Sequence, residues 1–152
     1  MTDDLVAFLR ARLDEDERVA KGPVEGIREW HSPAMRVVMA KGFDDSDPVD
    51  VSLKTILERD FSMMPFGVVA VTDYDADAKF IARFDQARVL ADVEAKRQLL
   101  DLHAPGETEY VDGNVCMACD VRGGEPFYPC KTLRLLALPY AGHPDYRPEW
   151  RP

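Results

Sequence analysis

"FDQARVLADVEAKRQLLDLHAPGETEYVDGNVCMACD", residues 84–120, carries the longest helical pattern of the chain and the cysteine pair on which its chemistry turns. Asp85 is positioned to cap a helix over about residues 86–103. Within it Val89, Leu90, Val93, Leu99 and Leu100 recur at helical spacing and face the core, while Asp92 and Lys96 stand one turn apart as an exposed ion pair. "APGETEYVDGN" (104–114) then breaks the helix into a loop that leads to Cys116-x-x-Cys119.

On the N-terminal side, Phe80, Ile81 and Phe84 share one face of a preceding helical run. Further back lie two β-type stretches, "MRVVMA" (35–40) and "FGVVAVTD" (66–73), the second the clearer strand of the chain. Between them "DDSDP" marks a turn, and "VDVSLKTILERDF" reads as a strand followed by a short turn. At the start, Thr2 caps a helix over about 3–20 whose apolar positions are Leu5, Phe8, Leu9 and Leu13, and Gly22-Pro23 stops it. The acidic run Asp14 to Glu17 is a solvated face. On the C-terminal side, "CKTLRLLALPY" predicts a two-turn helix ended by Pro139. The proline-rich tail is pinned by Tyr140, Tyr146 and Trp150.

The order helix, strands, helices, cysteine loop, helix predicts an α+β fold: a small antiparallel sheet covered by helices, with a zinc-stapled loop between two helices near the C-terminus. The chain reads as a single domain over 1–152. It comprises an N-terminal helix (1–22), a small sheet (30–73), helices with the cysteine loop (75–140) and a tail (141–152).

A chain of 152 residues with 46 % hydrophobic residues holds enough apolar material for one packed core. Its 28 acidic against 19 basic residues leave a net charge of −9, which disfavours nucleic-acid backbones and anionic membranes as partners. No run of roughly 18 apolar residues occurs, and acids stand where a secretory leader carries Lys or Arg. A cytoplasmic location is expected. Three cysteines, an odd count, cannot complete a disulfide framework within one chain.

The spacing His103-x12-Cys116-x2-Cys119-x10-Cys130 offers a Cys3His ligand set. Two thiolates two residues apart meet one ion from a tight turn, for which Gly113 is suited, and Cys130 sits where the last helix begins, its N–H groups favouring a thiolate. His103 ends the long helix and supplies the fourth donor, with Asp120 and His143 in reserve. Zinc fits these donors, and four protein ligands leave no open position, so the site is structural. Inert buried thiols and a redox pair are the competing readings. A thioredoxin-type pair opens a helix, whereas "CMACDVRGGEP" runs into Gly and Pro.

Other candidates carry less. Asp73, Asp75 and Asp77 copy the first ligands of a calcium loop, but Ala78 replaces its glycine and Phe84 its closing glutamate, which leaves helix capping. His31 and His143 lack a nucleophile in any recognisable motif. Arg83, Arg88, Lys96 and Arg97 form a solvated helix face.

The segments "DDLVAFLRARLDEDERVA", "FIARFDQARVLADVEAKRQLLDLH" and "CKTLRLLALPYAGHPDYRPEW" resemble a domain-of-unknown-function family of small uncharacterised proteins from actinobacteria and their phages. The resemblance covers both ends and hardly touches residues 24–70. It implies a CxxC loop between the long helix and a final cysteine, matched here by Cys116, Cys119 and Cys130, with His103 ending the matched helix. Phe80 and Phe84 stand where members commonly show histidine, and Gln86 where proline is common, so any role of those histidines is not expected in this chain. No activity follows from the resemblance.

Residues and resemblance together predict a non-enzymatic, zinc-stabilised accessory protein that works through a protein partner in an actinobacterial or actinophage setting. The alternative is a metal-dependent, hydrolase-type enzyme with an open zinc position, which three thiolates plus water would create if His103 is not a ligand.

Overall fold

The computed structural model describes residues 2–22, 30–32, 37–40, 68–72, 74–109, 111–119 and 127–152. They form helices α1 (Thr2–Lys21), α2 (Asp75–Arg83), α3 (Gln86–Leu102) and α4 (Lys131–Ala137), and strands β1 (Trp30–His31), β2 (Val37–Ala40), β3 (Val68–Val71), β4 (Pro105–Thr108) and β5 (Val111–Cys116). Short 3-10 turns follow at Leu138–Tyr140 and Pro148–Trp150. The architecture is α+β, and its contacts gather into two compact units, Met1–Arg18 with Asp92–Pro152, and Val19–Ala91.

In the Val19–Ala91 unit, α1 ends at Gly22, whose φ of +56° is left-handed backbone that favours glycine. Its N–H closes onto the Val19 carbonyl at 3.2 Å. Strands β1, β2 and β3 make an antiparallel sheet in that order. Trp30 pairs with Ala40 and Val37 with Val71, and the register shifts between Val38 and Met39. Helix α2 lies against β1 and β2, and its small Ala78 is fully buried. Asp85 caps α3 as its sequence position predicts, accepting the Arg88 N–H at 2.8 Å. The same carboxylate accepts the Trp30 N–H at 3.2 Å, so one side chain ties β1 to the start of α3. The expected turn at 44–48 and strand-plus-turn over 49–61 lie outside the described residues.

The other unit is built on the predicted stripe of α1. Leu5, Phe8, Leu9 and Leu13 are all buried, with Val93 and Leu100 of α3 and Leu133 and Ala137 of α4. Val89, Leu90 and Leu99, also expected to face the core, are only half-buried. Phe8 gathers the tail: its ring centroid lies 5.0 Å from Trp150, 6.1 Å from Tyr146 and 6.3 Å from Tyr140. Burial of these rings explains how so proline-rich a segment is held. Arg97 of α3 donates to Asp14 (2.7 Å) and Glu17 (2.6 Å) of α1, and Lys96 pairs with Asp92 at 2.5 Å.

One local expectation is corrected. Residues 104–114 do not form an open loop: β4 and β5 make an antiparallel hairpin, with Pro105 opposite Cys116, Gly106 opposite Val115 and Thr108 opposite Val111. Side chains of low strand propensity hid it, and backbone pairing together with the burial of Val115 outweighs that propensity. The exposed Met117 side chain lies over Gly106, in the space that a Cβ there would occupy.

Candidate metal centre

Four segments deliver one donor each. His103 follows α3, its N–H still bonded to the Leu99 carbonyl at 3.0 Å. Cys116 is the last residue of β5. Cys119 lies on the turn that follows, closed by its N–H to the Cys116 carbonyl at 3.2 Å. Cys130 is the residue before α4. The turn at the cysteine pair is therefore Met117–Cys119; Gly113, expected to make it, lies within β5.

The hairpin is what assembles them. Only Ala104 separates His103 from β4, and the pairing of Pro105 with Cys116 returns the chain to the helix end. The Met117 N–H donates to the Ala104 carbonyl at 3.2 Å. On the opposite edge of β5, Val115 bridges to Phe127 and the Tyr128 N–H donates to the Asn114 carbonyl at 3.1 Å, which brings Cys130 alongside. Arg134 fixes the approach by donating to the Pro129 carbonyl at 3.2 Å.

The four donor atoms all lie within 4.8 Å of one another. His103 Nδ1 is 3.2 Å from the sulfur of Cys116, 3.7 Å from that of Cys119 and 3.4 Å from that of Cys130. A tetrahedral zinc with usual Zn–S and Zn–N bonds separates a nitrogen from each sulfur by about 3.6 Å. The nitrogen therefore stands over three sulfurs at the spacing a single ion imposes. None of the cysteines is in a disulfide, and Cys116 and Cys130 are buried with Cys119 half-buried. Among the described residues this is the one group of its kind.

The electrostatics suit a cation. Burial, hydrogen bonds with Cys116 and Cys130, and then their charge push the Cys119 thiol up to about 12. Burial also pushes Cys130 up, but the Leu133 N–H, hydrogen bonds from Cys116 and Cys119, and the Thr132 N–H outweigh it and hold that thiol low. These N–H groups belong to the first turn of α4, although no side-chain cap bond of regular geometry forms there. Three sulfurs in one pocket share a proton burden that a divalent ion relieves.

The reserve ligands do not join. His143 lies in the tail, its Nδ1 accepting the Asp145 N–H at 3.1 Å, its Nε2 facing Arg12 and its ring 5.7 Å from Phe8. Asp120 lies outside the described residues. Asp75 and Asp77 occupy the first turn of α2, where Asp75 pairs with Lys79 at 2.6 Å. This is the helix-terminal role that favours acids. The Tyr140 hydroxyl donates to Asp16 at 2.6 Å, a contact that no local sequence pattern signals between residues so far apart. No described helix is long and apolar enough to cross a membrane.

Residues 2–152 match the model of a family of unknown function (DUF6221), and the chain belongs to that family. Neither the curated proteins nor the solved structures hold a match to it.

Proposed function

We propose that this family member is a non-enzymatic accessory protein, stabilised by one structural zinc ion and acting through a protein partner. The observation that carries the reading is the convergence of His103, Cys116, Cys119 and Cys130 within 4.8 Å. Three thiolates and an imidazole select a thiophilic ion of tetrahedral preference, and four protein donors fill its coordination sphere. A filled sphere leaves no position for a water nucleophile or a substrate. The ion's work is mechanical: it joins the end of α3, the open end of the β4–β5 hairpin with the turn after it, and the start of α4. The excess of acidic residues supports a protein partner over a nucleic acid.

Elemental analysis and native mass spectrometry of protein purified without a polyhistidine tag or chelator test the reading. One zinc per chain is expected, with cobalt substitution giving the spectrum of a tetrahedral sulfur-rich site. His103→Ala is expected to lose the ion or unfold the C-terminal third. Tight zinc retention by His103→Ala, with water as fourth ligand, would favour the enzymatic alternative. Metal-free protein with three freely titratable thiols would refute the site.

A further inference from the structure

The second half of the functional reading, action through a protein partner, has a surface to attach to, and the inference that follows rests on that reading. Phe80 lies in the last turn of α2 and Phe84 at its C-cap, and their rings pack on each other at 4.7 Å. Yet they are 63 % and 44 % exposed. Tyr74, just before the helix, is 70 % exposed. Aromatic pairs of this size are ordinarily where an interface core forms.

The charges beside the rings are the second observation. Arg88 holds its guanidinium 4.4 Å from the Phe84 ring centroid and reaches the Arg83 carbonyl at 3.4 Å. Arg10, Arg12, Arg18, Arg97 and Arg147 each face a carboxylate. Among the described residues, Arg83, Arg88, Arg134 and Arg151 face none; of these, Arg134 donates to the Pro129 carbonyl, whereas Arg83 and Arg88 are exposed and stand next to the phenyl pair in the chain. Arg83 at the last turn suits the helix dipole, but that accounts for neither the second arginine nor the exposed rings. A stacked, already ordered guanidinium next to apolar rings is a preformed site for a carboxylate that arrives with an apolar neighbour.

We propose that the Phe80–Arg83–Phe84–Arg88 face docks an acidic, aromatic-bearing segment of a protein partner. Carboxylates of the segment take the two guanidinium groups, which face no carboxylate among the described residues, and its aromatic side chain covers the phenyl pair. The partner is acidic, so attraction to it is local to this face and opposes the net charge of the chain, which confers selectivity for a segment that presents both features.

The test uses the full-length, metal-loaded chain and a short fluorescent peptide of Asp and Glu flanking one Trp and one Phe. Control peptides carry Lys for the acids or Ala for the aromatics. Anisotropy titrations are expected to show binding of the acidic aromatic peptide alone, weakening with salt and falling at least about tenfold in Arg83→Glu/Arg88→Glu and in Phe80→Ser. All the substituted side chains are exposed, and circular dichroism verifies that the variants stay folded. Equal binding of the control peptides, unaltered binding by the variants, or no binding overturns the proposal. Self-association lost in Phe80→Ser would assign the face to a second copy, and binding of single-stranded oligonucleotide would assign it to nucleic acid; either overturns it too. Zinc content is measured on the same samples. No peptide binding with zinc in place sinks the docking face alone, and binding without zinc sinks the metal staple alone.

Discussion

Replacing Trp150 by Ala tests whether the C-terminal tail belongs to the core of its unit. The indole is 6 % exposed and packs 5.0 Å from the Phe8 ring and 5.7 Å from Tyr146, centroid to centroid. Burying about 200 Å² of aromatic surface at about 25 cal/mol per Å² sets an upper bound of about 5 kcal/mol. A realistic unfolded chain already hides a tenth or more of that area, which brings the expected loss to about 3–4.5 kcal/mol. For a chain of this size the corresponding fall in melting temperature is about 10 °C. Urea unfolding followed by far-ultraviolet circular dichroism, at fixed zinc, reads the loss. A parallel double-mutant cycle with Phe8→Ala is expected to return a coupling of about 1 kcal/mol. Zinc content should not change, because Trp150 packs on the rings of Phe8 and Tyr146. A loss below about 1 kcal/mol would mean that the tail does not depend on its rings.

Four further outcomes follow from particular contacts. Cys130→Ser is expected to weaken zinc binding by at least about a hundredfold in competition with a chromogenic chelator, because a hydroxyl is a poor replacement for a thiolate. Since burial and neighbouring sulfurs keep the Cys119 proton in place up to about 12, zinc must displace it near neutral pH. Binding measured in buffers of different ionisation enthalpy should show proton release, and affinity should fall as pH falls. In Tyr140, burial and then the bond to Asp16 raise the phenol's pKa. A folded pKa above the unfolded one gives stability that is complete below about 10 and lost as pH rises past it. Tyr140→Phe should therefore cost about 1 kcal/mol at neutral pH and flatten the alkaline loss seen in urea titrations. Asp85→Ala, which removes the acceptor for both Arg88 and Trp30, should destabilise by about 1–2 kcal/mol, read by the same unfolding assay.

Features that rest on local rules were legible in the amino-acid order. The stripe of Leu5, Phe8, Leu9 and Leu13 and the stop at Gly22 defined α1, because helical periodicity and a left-handed glycine act within a few residues. Asp85 announced the start of α3 for the same reason, and the β-branched runs at 37–40 and 68–71 announced two strands. The Cys3His set was legible as a spacing. How the donors meet depends on long-range folding. The β4–β5 hairpin that carries Cys116 back to His103 is specified by backbone pairing, to which Pro, Gly and Glu side chains give little signal. The same holds for the choice of His103 over His143: both follow helical turns in sequence, but Phe8 and Arg12 hold His143 in the tail. Side-chain burial is likewise a property of three dimensions, since Val93 and Val89 look alike in the sequence and only Val93 is fully covered. Local chemistry marked the four candidate donors, and long-range packing brought them within 4.8 Å of one another.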